Sequence, residues 1–406
     1  MLLAKGDDIT AWRAAVDFTV RYREALLSQT SRCRSDQTMH LLERSGGRIR
    51  ELAAEHSRCV TGLDQICTEI RQGDCVHATR QQAGSGFELL YRHMAVFRSA
   101  PAFFRMAESL LQAICAVAGR LASAQLGAQA RLLPDMALIT LGPGGRREFS
   151  PYCPLQLVLL HDGSADGHEA LDHYSRLVHE GLEACSLQVD QAITPRFPHW
   201  RGSIQDWDER FASGLEFSAP ATLIELVRFS DQLLLAGAGQ IADRFRERSL
   251  DLLHGSHSAH SNLMTRLRGL SNGLSLMGRL KTDRLGGSRN MFALRDHGLI
   301  PLSATVSALT LTSGGRASDT PGRIRELLSL RVFDVEMAER LLMAWHIVSG
   351  LRLMREHEAQ LDASIDPTYL DLEALDEHAL EELHTALEAV GVAQRQALMI
   401  LSAGGE

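Results

Sequence analysis

The residues with the most chemical potential stand together in Gly142-Pro143-Gly144-Gly145-Arg146-Arg147-Glu148. Gly142, Gly144 and Gly145 leave the backbone bare, so that peptide N–H groups could approach a phosphate. Arg146 could give that phosphate a bidentate contact, and Arg147 adds a second cation. Pro143 withholds one backbone donor from the set. Metal-assisted phosphoryl chemistry would further need anionic oxygens to hold divalent ions. Those are scarce: no Asp or Glu occurs between Phe149 and His161. Asp162 follows Gln156 by six residues, roughly 20 Å along an extended strand. Glu148 and, further on, Asp190 are the remaining candidate acids. The same turn read blandly is a strand-to-helix connection with solvated arginines.

The elements that must position these residues follow from hydrophobic periodicity. Apolar runs over 136–141 and 155–160 have strand length and bracket the glycine turn. A helix is expected over 168–184, followed by a third strand over 187–193 that carries Asp190. Residues 1–130 read as helical, with long amphipathic stretches at 39–70 and 87–126 and a break at Gln82-Ala83-Gly84-Ser85-Gly86. The chain returns to helices after Pro195, including 302–311, 335–360 and 375–402, with Asp366-Pro367 as a loop. The expected class is α+β and mostly helical, in three parts. These are an N-terminal helical domain (1–130), a small mixed-sheet α/β core (131–197) and a C-terminal helical domain (198–406).

Composition narrows the function classes. With 406 residues, 45% of them apolar and 23% charged, the chain has the make-up of a soluble protein of two or three compact units. A net charge of −8 argues against nucleic acid as a partner. No apolar run is long enough to span a bilayer, so no membrane partner is expected. Charges at Lys5, Asp7 and Asp8 break any signal-peptide core, which points to the cytoplasm. Seven scattered cysteines without a C-x-x-C pair read as reduced thiols, mostly filling cores. His254, His257 and His260 have the spacing of helical metal ligands, but their Ser- and Gly-rich surroundings read as a loop running into a helix N-terminus. Arg284-Leu285-Gly286-Gly287-Ser288-Arg289 is a second Gly/Arg-rich turn, either solvated or anion-binding.

The layout around the glycine turn resembles the Gly-Ser-x-Gly-Arg-x-Glu loop and Asp-x-Asp strand of nucleotidyltransferases related to the PII uridylyltransferase and glutamine-synthetase adenylyltransferase families. Further segments follow the same order. Val189-Asp190 with Pro195 is similar to their third-acid strand, and Trp200 and Trp207 to the element after it. Phe229-Ser230-Asp231 resembles a Phe-Phe-Asp-x-Arg element, with Leu233 where the arginine is expected. Phe292 to Pro301 resembles the opening of a substrate-binding helical domain and keeps a cation at Arg295; Asp319 to Ile324 resembles its Ser-Thr-x-x-Arg-Leu turn.

The resemblance spans residues 134–400 and implies a nucleotidyltransferase-like core followed by that domain. It places Pro154 and Gln156 where the family carries its metal-binding acids, and neither side chain replaces a carboxylate, so no metal site is expected. It also implies phosphate contacts from Gly142, Gly144, Gly145, Arg146, Arg147 and Arg295. Three functions stay open. The first is an inactive nucleotidyltransferase fold acting as a regulatory nucleotide-, anion- or protein-binding module. The second is an active uridylyl- or adenylyltransferase-like enzyme using Mg²⁺ and a nucleoside triphosphate, with Asp190 or Glu148 as its acid. The third is a ligand-free scaffold. A protein partner, or self-association through the N-terminal helices, is expected in the first and third.

Overall fold

A computed structural model describes residues 135–403 except 149–153, 164–167, 185–188, 217–226, 255–256, 286–287 and 362–363, together with single positions between 115 and 127. Most of the expected N-terminal domain lies outside the described residues, as do Cys33, Cys59, Cys67, Cys75, Cys153 and Cys185. The described residues fall into two compact units, one of residues up to 210 with 231–248, the other of 211–230 with 249 onward.

The first unit is built on a four-stranded mixed sheet. β1 (Met136–Leu141) pairs antiparallel with β2 (Gln156–His161), placing Leu138 opposite Leu159 and Leu141 opposite Gln156. The other edge of β1 pairs antiparallel with β4 (Leu233–Gly237), with a register shift at Leu138/Ile139. β3 (Arg201–Ser203) runs parallel to β2, giving the order β3-β2-β1-β4. β1 holds the middle because both its faces are covered: Ala137 to Leu141 are all buried, and all but Thr140 are apolar. Helix α1 (His168–Ala184) buries Leu171, Tyr174, Val178 and Leu182, the three- and four-residue spacing of one helical stripe. Cys115 is buried and hydrogen-bonded to Tyr174; burial pushes its thiol up to about 12, so it is an inert core residue.

The third strand expected over 187–193 is a correction. Among the described residues of that span, Val189 bridges Leu155 in parallel and the Ile193 carbonyl accepts Leu157 N–H at 3.0 Å, without a continuous strand. Asp190 breaks the ladder, because its Oδ1 accepts the N–H groups of Ala192 (2.8 Å) and Ile193 (3.1 Å), the local alternative that aspartate offers the backbone. A regular parallel ladder beside β2 forms at β3. There a capping box opens helix α2 (Ile204–Glu216): Ser203 N–H donates to Asp206 Oδ2 at 2.7 Å and Asp206 N–H to Ser203 Oγ at 3.1 Å. Helix α3 follows β4 (Gly239–His254), and Phe245 on it packs edge-on against Trp207 with centroids 6.0 Å apart.

The second unit is a helical bundle with a small antiparallel sheet. Helix α4 (His257–Gly269) is followed by β5 (Asp283–Leu285) and β6 (Ser288–Phe292), and β6 also pairs with β7 (Leu370–Asp371). Arg284 and Leu285 of the expected Gly/Arg turn therefore stand on β5, and Ser288 and Arg289 on β6, its antiparallel partner. His254 ends α3 and His257 begins α4, so the three histidines do not share one helix. A π-turn (Arg295–Leu299) leads into α5 (Ile300–Thr312), which is buried nearly all round. In that turn a Cβ at Gly298 would stand 3.0 Å from Val348. Helix α6 (Thr320–Ser329) is capped by Asp319, whose Oδ1 accepts Gly322 N–H at 2.7 Å. Two long helices, α7 (Val335–Leu361) and α8 (Glu377–Ala403), close the bundle around Leu309, Ile324, Leu341, Val348, Leu387 and Val390. Among the described residues no helix is long and apolar enough to cross a membrane.

Candidate functional site

β1 ends at Leu141, and Gly142–Gly145 forms a single helical turn. Gly142 has φ of 58°, the left-handed region where a side chain is disfavoured. The two later glycines serve packing. A Cβ on Gly145 would collide with the carbonyl of Asp231, and one on Gly144 with the Thr140 hydroxyl. Gly142, Gly144 and Gly145 are all buried, so the bare backbone is used to lay the turn against β1 and Asp231, just ahead of β4.

The turn closes as a Schellman motif: Glu148 N–H donates to Pro143 O at 2.8 Å, and Arg147 N–H to Gly144 O at 3.1 Å. The left-handed residue of such a motif is usually glycine, but here Arg147 takes it, with φ of 59°. Its side chain is exposed. Arg146 is the opposite case. Its Nε donates to Glu148 Oε2 at 2.8 Å and its Nη1 to Asp231 Oδ2 at 2.7 Å, with all three side chains at most 15% exposed. Burial disfavours the Arg146 cation, but the two carboxylates outweigh burial and raise its pKa above the ordinary arginine value. One guanidinium between two carboxylates leaves a net negative charge, a poor setting for a phosphate.

Across the turn, Gln156 opens β2. Its Oε1 lies 2.6 Å from where a Gly142 Cβ would be, and its Nε2 donates to Asp190 Oδ2 at 3.2 Å. Asp190 therefore receives three N–H donors: this amide and the backbone groups of Ala192 and Ile193. Pro154 stands exposed just ahead of β2. Among the described residues no group of three or more His, Cys, Asp or Glu side chains is arranged to hold a metal ion.

The structure thus gathers Gly142, Gly144, Gly145, Arg146, Arg147 and Glu148 in one turn and brings Asp190 to it through Gln156. Arg295 belongs to the second unit, where its Nε meets Asp296 Oδ1 at 3.0 Å with both side chains more than half exposed. Sequence reasoning missed Asp231 as the anchor of Arg146. The signal was the retained aspartate of Phe229-Ser230-Asp231, overshadowed by the missing arginine beside it.

The mixed sheet with its glycine-arginine turn and the helical second unit lie in segments that match models of putative nucleotidyltransferase domains. Residues 87–221 match the family described as Putative nucleotidyltransferase DUF294, and residues 259–399 match the Putative nucleotidyltransferase substrate binding domain. Together they cover about two thirds of the chain, which belongs to this nucleotidyltransferase family. No curated protein matches it.

Proposed function

We propose that this protein is a catalytically silent member of its family that acts by binding, as a regulatory module whose principal ligand is another protein. The observation that carries the proposal is the Gln156–Asp190 hydrogen bond. In the resembling families, position 156 supplies a carboxylate that helps hold the divalent ions. In this chain an amide N–H points at the remaining acid, occupying one of its lone pairs with a neutral donor. Glu148, the other candidate acid, is ion-paired to Arg146. A divalent ion needs several anionic oxygens, and one aspartate already accepting three N–H groups fits it badly. Kinship with the PII uridylyltransferase and adenylyltransferase families is part of the same proposal and rests on the Gly-Arg-x-Glu spacing.

A protein ligand is preferred to a nucleotide because Arg146 and the turn glycines are committed to internal contacts. An anion would be left with Arg147 as its principal contact. The test is incubation with labelled nucleoside triphosphates and Mg²⁺ or Mn²⁺. No transfer to protein or small molecule is expected; product that disappears in Asp190→Ala overturns catalytic silence. Thermal-shift measurements with the same nucleotides separate the ligands, since a compound that binds the folded state raises the melting temperature. A clear shift that Arg147→Ala removes would favour the nucleotide over the protein.

A further inference from the structure

The second unit carries two oppositely charged, adjoining surfaces. Residues 279–289 hold Arg279, Lys281, Arg284 and Arg289 against the single acid Asp283. All four cations are exposed, and none is ion-paired to a carboxylate among the described residues. Residues 371–388 hold seven Asp or Glu and no Lys or Arg. Glu373, Asp376, Glu377, Glu381 and Glu388 are exposed. The two stretches adjoin in the fold. Met291 pairs with Asp371 across β6 and β7, Asn290 donates to Glu373 at 2.7 Å, and the His384 ring is hydrogen-bonded to the Gly278 carbonyl at 2.6 Å.

Next to this charge boundary lies an apolar tip. Leu276 and Met277 are 109% and 85% exposed, at turn positions where polar residues are the norm. The turn beneath them is well fixed. Ser275 N–H donates to Arg279 O at 2.8 Å, Gly278 N–H to Ser275 O at 2.9 Å and Lys281 N–H to Gly273 O at 2.8 Å. Two large apolar side chains are therefore held in water on a constrained support, which favours a docking element because little ordering entropy remains to be lost on binding.

We infer that this face is a self-association surface whose occupant is a second copy of the chain. A patch with adjoining positive and negative halves is self-complementary under a two-fold rotation: each basic half meets the other copy's acidic half, and the Leu276–Met277 tips are covered near the seam. Repulsion between copies of a chain with net charge −8 is offset where the contact pairs opposite signs.

The test is sedimentation velocity of the full-length protein across ionic strength. A dimer is expected at about 0.01 M, where charges act over ~30 Å, with dissociation towards about 1 M, where they act over ~3 Å. Leu276→Ser with Met277→Ser should weaken dimerisation by at least about tenfold, as loss of central apolar anchors does. Arg279→Glu with Lys281→Glu should abolish it, and adding Glu377→Lys and Glu381→Lys to the same chain should restore it. All substitutions lie at exposed positions, and circular dichroism checks that each variant is folded. A monomer at every salt concentration overturns the inference. So does a dimer indifferent to both pairs of substitutions, which would place self-association elsewhere.

Discussion

Among the described residues, each unit holds a shielded arginine that ties together segments far apart in sequence, and the two meet different partners. In the first, Arg146 sits between Glu148 and Asp231, charge against charge. In the second, Arg323 is 1% exposed and its contacts include the Ser307 hydroxyl, the Ala317 carbonyl at 2.9 Å, and the Ser230 carbonyl and hydroxyl, each at 3.2 Å. Both residues were marked by sequence, one as a phosphate contact and the other in a Ser-Thr-x-x-Arg-Leu-like turn. Both serve in the structure as clamps on backbone segments. A retained motif arginine is therefore weak support for a ligand until its partners are known.

The contrast has consequences for stability, and the largest is expected at Arg146. Arg146→Met leaves two buried carboxylates facing each other and should destabilise the first unit by about 3–5 kcal/mol, read as a fall in the urea midpoint. Arg146→Lys keeps the charge and should recover part of that loss. Arg323→Met breaks several hydrogen bonds to neutral groups and should cost about 2–4 kcal/mol. At this position lysine should recover little, because the planar fork supplies the separate donors. If lysine rescues both sites equally, the distinction between charge and geometry fails.

A gain is expected beside the first clamp. Arg147→Gly relieves the left-handed conformation and should stabilise by about 1 kcal/mol, raising the melting temperature. The smallest effect lies outside both clamps, at the capping box of α2. Burial raises the Asp206 pKa, but hydrogen bonds from Ser203 outweigh it and leave the value below the ordinary carboxylate range. A group depressed in the folded state contributes stability that is complete above its unfolded pKa and lost as pH falls through the folded one. Wild type should therefore lose stability below about pH 4, and Asp206→Asn should flatten that loss in urea midpoints compared at neutral and acid pH.

Much of the scaffold was legible because it depends on local periodicity. The first two strands, the helix from His168 to Ala184 and the two closing helices stand within about two residues of their expected bounds. What failed depended on tertiary partners. Asp190 could not be seen to break its strand, since its sequence neighbours give no sign of the Asx bonds that form. β4 and β7 are short segments whose pairing is set by distant residues. The packing role of the turn glycines was hidden too, because spacing cannot show that the Asp231 carbonyl stands where a Gly145 side chain would be. In the candidate site the residue types were legible and their partners were not.

The π-turn at Arg295–Leu299 carries a consequence for how this chain tolerates change. One extra residue per turn advances the angular phase of everything downstream by about 100° relative to a continuous α-helix. Helix α5 is thereby rotated as a whole against the segment that feeds it. Deleting a single residue between Arg295 and Leu299 would reset that phase and send the face holding Val306 and Leu309 towards the wrong neighbours, whereas a point substitution at the exposed Arg295 would leave it intact.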